Sequence, residues 1–183
     1  MEPIWQAWSA GDPRTQARDA LEANQSVVDR FASLDPAQVE AFHLDLFGMS
    51  VDAVRLAQMR LSELALHIWD VAVALDPSAT VIPEAVVVLV DTLGQLAARV
   101  GKAEGRDLRL VVETSEPERH FYLEAAETVT LEPRQPGEDL PGLRLPAEAF
   151  VRLVYGRLDP AHTPAVEAEG VDLDELRRVF PGI

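Results

Sequence analysis

Arg60-Leu-Ser-Glu-Leu-Ala-Leu-His-Ile-Trp-Asp70 is the stretch on which the fold of this chain turns. No Gly or Pro falls between Val51 and Asp76, so the spacing predicts one long helix there. At 100° per residue, Glu63, His67 and Asp70 lie within about 60° of one another. Leu64, Ile68, Val71 and Leu75 flank this polar stripe on one side, and Leu66, Trp69 and Val73 flank it on the other. An ordinary surface helix has one apolar face and one wide polar face. Here the polar groups form a narrow seam between apolar walls. A carboxylate and an imidazole at i and i+4 can turn their lone pairs on one metal ion, and Asp70 could bind that ion or orient the imidazole. The same spacing also makes a buried Glu–His hydrogen bond that fixes helix packing. Spacing alone leaves both readings open.

Upstream, Asp12-Pro13 reads as an N-cap with Pro at the first helical position, opening a helix that runs to about Ser33. Trp5 and Trp8 precede it. Asp35-Pro36 breaks the helix, and Gln38 to Phe47 reads equally as a short helix or an irregular packed segment. Ser50 and Asp52 are candidate caps for the long helix, which Asp76-Pro77 closes. A further helix starts at Pro83, carries a broad apolar face from Val86 to Val100, and ends at Gly101. At the charged segment 102–107 the periodicity changes from 3.6 to 2, which places a domain boundary near residue 104.

Beyond it, alternation predicts strands at 108–113, 120–124 and 128–132, then an acidic, proline-rich loop from Pro133 to Pro141 and a short strand at 143–145. Pro146 opens a helix that Gly156 ends, and Asp172 with Glu175 has capping-box spacing ahead of a final helix. The fold class expected is α+β: a helical domain over 1–104, then a smaller domain over 105–183 with helices on one face of a sheet.

Composition excludes several classes. A net charge of −15 argues against nucleic acid. No basic amphipathic helix suggests a membrane surface, and the apolar run 85–90 is too short to span one. With no cysteine there is no disulfide, thiolate ligand or cysteine nucleophile, so any sulfur chemistry needs an external thiol. Met1 to Trp5 has no signal-peptide character, which makes a cytoplasmic location the default.

The run Arg-Leu-x-Glu-Leu-x-x-His-x-Trp-Asp from Arg60 to Asp70 resembles the signature of the mycothiol-dependent maleylpyruvate isomerase family. Proteins of that family have a DinB-like helical domain followed by a small domain similar to the sterol-carrier-protein fold. The resemblance implies that Glu63 and His67 are two of three metal ligands, the third being a His on an earlier helix. No matching stretch stands upstream here, so the resemblance implies a helical bundle incomplete at its N-terminus. The expectation is a longer natural product whose added helix pair carries that His, with His43 as the substitute should the bundle be self-sufficient.

The segment Arg152-Leu-Val-Tyr-Gly-Arg157-Leu, with Phe180-Pro-Gly182, is similar to the family's C-terminal domain. There a Gly-Arg at the helix end points toward the active site, which makes Arg157 the expected catalytic group, able to grip a dicarboxylate bidentately. The alternative is an arginine that meets the last carbonyls of its helix. His120 on a strand's polar face and His162 in a loop read as structural or solvated, and Arg60 as the ion-pair partner of Glu63.

The activity implied is that of a metal-dependent isomerase or S-transferase. Zinc, the divalent metal implied, sits at Glu63 and His67, mycothiol serves as thiol cosubstrate, and a small electrophile is the partner. Two other classes stay open: a catalytically silent metal-binding or scaffold protein, and a carrier of small apolar ligands in the C-terminal domain. The electrophile and the oligomeric state are not legible in the sequence.

Overall fold

The computed structural model describes residues 6, 8–46, 48–134 and 140–182. Trp5, the segment Met1 to Trp5, Phe47 and the centre of the acidic loop lie outside the described residues. The chain is mixed α+β and divides into two units, 1–57 and 58–183. No described helix is long and apolar enough to cross a membrane.

The first unit is helical with one hairpin. Helix α1 (Pro13–Ala32) starts where Asp12 accepts a hydrogen bond from the Thr15 amide, with Pro13 filling a position that needs no donor. None of its residues is buried. Helix α2 (Pro36–Ala41), where Asp35 and Gln38 close a full capping box, takes only the first part of the segment left ambiguous. Strands β1 (Leu44–Leu46) and β2 (Met49–Val51) then pair antiparallel. Asp52 accepts from the Arg55 amide and starts helix α3 (Ala53–Leu75), which continues into the second unit.

In the second unit the expected single helix from Pro83 to Val100 is two: α4 (Pro83–Leu89) and α5 (Leu93–Val100), joined by a 3₁₀ turn at Val90–Thr92. Two polar contacts explain the break. The Thr92 hydroxyl bonds back to the Leu89 carbonyl, and Arg119 grips Asp91 through two bonds of 2.7 and 3.0 Å.

Strands β3 (Leu108–Ser115), β4 (Arg119–Ala125), β5 (Val129–Pro133), β6 (Gly142–Pro146) and β7 (Glu167–Glu169) form one sheet in the order β5-β4-β3-β6-β7. All neighbours are antiparallel except β3 and β6. Strand β7 was not expected. Its residues are all exposed, so it carries no apolar alternation, and only its pairing with β6 defines it.

Leu110, Val112, Phe121, Leu123, Leu131, Leu143 and Leu145 fill the buried face of the sheet. Helices α5, α6 (Ala147–Val154) and α7 (Leu173–Val179) join them in one core that also takes Leu66 and Trp69 from α3. The boundary expected near residue 104 therefore falls inside this unit. Close approach explains the glycine inside α5, since a Cβ on Gly94 would stand 2.6 Å from the Leu131 carbonyl oxygen.

Candidate functional site

The site begins with Trp69, which fixes the rotation of α3. Its ring is 4% exposed, and its indole N–H donates to the Ala79 carbonyl at 2.9 Å. The Arg152 guanidinium lies 4.8 Å from the ring centroid, and the His162 ring meets the indole edge-on at 6.2 Å. Arg152 is itself buried, doubly bonded to Glu148 at 2.8 Å and donating to the His162 carbonyl. With Trp69 locked into the core, Asp70 emerges 100° further round the helix.

Arg157 reaches the same place from the other end of the unit. Helix α6 ends in a Schellman motif: Gly156, at φ +69°, donates to the Leu153 carbonyl, and the Arg157 amide donates to the Arg152 carbonyl at 2.7 Å. A Cβ at residue 156 would stand 2.2 Å from Gly182, so only glycine fits the turn that aims Arg157 outward. The Arg157 side chain then crosses to Asp70, 87 positions earlier. Nε donates to Oδ1 at 2.9 Å and a terminal nitrogen to Oδ2 at 3.1 Å. Its other terminal nitrogen donates to the Tyr155 carbonyl at 3.1 Å, the contact with its own helix end that the alternative reading expects. Among the described residues these bonds occupy three of its five N–H groups, leaving two for a ligand.

From Asp70 the contacts run along α3. Asp70 Oδ2 stands 3.0 Å from His67 Nδ1, and His67 Nε2 stands 3.4 Å from Glu63 Oε2. Burial pushes the Asp70 carboxyl up, but the bonds from Arg157 and then His67 outweigh it and hold the group below the usual carboxylate range. An ionised carboxylate only accepts, so His67 Nδ1 donates to Asp70 and Nε2 faces Glu63. At 3.4 Å, with both side chains largely exposed, the contact between Nε2 and Glu63 suits an ion pair as well as a shared metal ion.

The spacing fits a metal. Two ligand atoms at about 2.1 Å from a tetrahedral zinc stand about 3.4 Å apart. The Asp70–His67 bond supplies the carboxylate–imidazole arrangement that orients a ligating histidine. The pair offers two ligands, however, and the described residues contain no group of three or more His, Cys, Asp or Glu placed to hold an ion.

The structure corrects one expectation outright. Of the two readings left open for the polar seam, the buried hydrogen bond is the one overturned, because only one of the seam's apolar walls is packed. Leu66 and Trp69 are buried, while Ile68, Val71 and Leu75 are exposed, and so are the side chains of Glu63 (69%) and His67 (64%). A buried Glu–His bond that fixes helix packing is therefore excluded. His43 is exposed beyond α2, and His162 pairs with Asp159 at 2.8 Å. His120 lies beside Glu118 and lines a separate cavity of about 620 Å³ with Glu113, Arg144 and Glu167. None of Glu63, His67, Asp70 and Arg157 lines it. The sequence reading missed the buried Arg152–Glu148 pair. Its i, i+4 spacing is visible, but that spacing is common to exposed pairs. Comparison with protein-family models, curated proteins and solved structures finds no match.

Proposed function

We propose that the chain is a metal- and thiol-dependent isomerase or S-transferase of the mycothiol-dependent maleylpyruvate isomerase type, with a DinB-like helical part and a sterol-carrier-like sheet domain, acting in the cytoplasm. One observation carries the reading. Arg157, singled out by its place after a helix-ending glycine, meets Asp70 of the helix that bears Glu63 and His67, so the residues the resemblance implicates form one continuous chain of contacts.

Glu63 and His67 would hold the divalent metal, which when bound supplies the Lewis acidity that ionises a thiol below its free pKa of about 8.5. Asp70 fixes the His67 ring with its Nε2 lone pair outward. The two remaining N–H groups of Arg157 bind one carboxylate of a small unsaturated dicarboxylate. The thiolate adds to the double bond, and the electron pair moves onto the conjugated carbonyl oxygen. The resulting single bond rotates, the electrons return and the thiolate leaves, with no net oxidation. Where the electrophile carries a leaving group, the sulfur stays on carbon and the reaction is a transfer.

A catalytically silent metal-binding role is the second reading, favoured by the count of two ligands among the described residues. The test is zinc uptake followed by thiol-dependent conversion of a cis-unsaturated dicarboxylate. Glu63→Gln and His67→Ala should each weaken zinc binding by about 10-fold or more. Uptake without turnover selects the silent reading. A wild-type chain that takes up no zinc at neutral pH defeats both.

A further inference from the structure

Arg152 sets a charge inside the core that folding alone does not call for. Its side chain is 3% exposed, and that of Glu148, one turn earlier on α6, is 14% exposed. Replacing a buried ion pair with apolar residues of similar volume is often neutral or stabilising, so stability does not account for this one. What an apolar pair cannot supply is direction. The guanidinium bonds Glu148 twice at 2.8 Å, donates to the His162 carbonyl at 2.8 Å and lies over the Trp69 ring. Arg152 also reaches the site through its backbone, where its carbonyl accepts from the Arg157 amide at 2.7 Å. One residue thus touches both the neighbour of Asp70 on α3 and the turn that carries Arg157.

Resting on the reading of Arg157 as the group that binds a substrate carboxylate, we propose that Arg152 is a positioning residue for that grip. Held in its plane by Glu148, it sets the rotation of α3 through Trp69, so that Asp70 meets Arg157 and orients its free N–H groups. The tolerance is narrow. Side chains reach about 5–6 Å from a helix axis, so a rotation of about 20° carries the Asp70 carboxylate about 2 Å. That is enough to break bonds of 2.9 and 3.1 Å. An apolar pair would fill the same space but leave the indole with only its bond to the Ala79 carbonyl for orientation.

The test uses the full chain carrying Arg152→Met with Glu148→Leu, whose folding stability should stay near that of the wild type. A purely structural pair would leave the site unchanged in that variant. In urea unfolding, a cycle of Arg157→Met and Asp70→Ala should show coupling of about tenfold in the unfolding constant in the native background, and under about threefold in the changed one. Maleate, titrated by NMR, should bind the changed chain at least about fivefold more weakly than the wild type. Arg152→Lys leaves Glu148 paired with a cation but has no planar fork to lay on the indole. It should show the same two losses, and it serves in place of the double variant if that does not fold. Coupling of about threefold or more in the changed background, or maleate affinity within about twofold of the wild type, overturns the positioning role. A wild-type chain that binds no maleate defeats the carboxylate reading of Arg157, and the coupling alone then decides on Arg152.

Discussion

Arg157 and Asp70 should prove energetically coupled, and a double-mutant cycle measures by how much. Their two charge-assisted bonds would be worth about 3 kcal/mol or more if the pair were buried, while exposed pairs contribute about 0–1 kcal/mol. The side chains are 23% and 36% exposed, between those limits. We therefore expect a coupling energy of about 1.5 kcal/mol between Arg157→Met and Asp70→Ala. Arg157→Met alone should cost about 2 kcal/mol, because it also strips the bond to the Tyr155 carbonyl. Urea unfolding followed by circular dichroism reads both values. With a slope of about 2 kcal/mol/M the midpoint should fall by about 1 M in the single variant. Arg157→Lys should recover less than half of the coupling, since an ammonium cannot span both oxygens. Single-variant effects that add to within about 0.3 kcal/mol would refute the pairing, and with it the link between α6 and the site helix.

The Asp70 carboxylate should leave a mark on the pH dependence of stability. Its folded pKa is depressed, so its contribution is fully present above the unfolded value of about 3.9 and is lost as pH falls through the lower folded value. The stability gap between wild type and Asp70→Asn should shrink as pH falls below about 4; a gap in urea melts at about pH 3 as large as that at about pH 5 would contradict the assignment. Arg152→Met should cost about 2–4 kcal/mol by leaving the largely enclosed Glu148, 14% exposed, without its partner, and adding Glu148→Leu should restore most of that loss in urea melts.

Much of the fold follows from local rules that the sequence states openly. Asp12-Pro13, Asp35-Pro36 and Asp52 start their helices through bonds that short acidic side chains make to nearby amides, and the structure has each of them. Alternation located β3 to β6 because one face of their sheet is buried and the other is wet. What stayed hidden depends on partners far away in the chain. The 3₁₀ turn between α4 and α5 coincides with Arg119 holding Asp91, 28 positions apart. Strand β7 exists through β6 and has no apolar signal of its own.

The candidate site divides along the same line. Glu63, His67 and Asp70 share one helix, so a period of 3.6 alone places them together. What periodicity cannot supply is which side of that seam is packed. Both flanking walls are apolar in sequence, yet Trp69 and Leu66 enter the core while Ile68, Val71 and Leu75 remain in solvent. The choice is made by partners outside the helix: the Ala79 carbonyl accepting from the indole, and Arg152 stacked on its face. The rotation of α3 is therefore set by α6 and the loop after α3. By fixing Trp69, these contacts also bring Asp70 within reach of Arg157, which the Gly156 turn delivers from α6. The packing that buries one wall thus assembles the polar quartet and leaves the opposite wall free at its border.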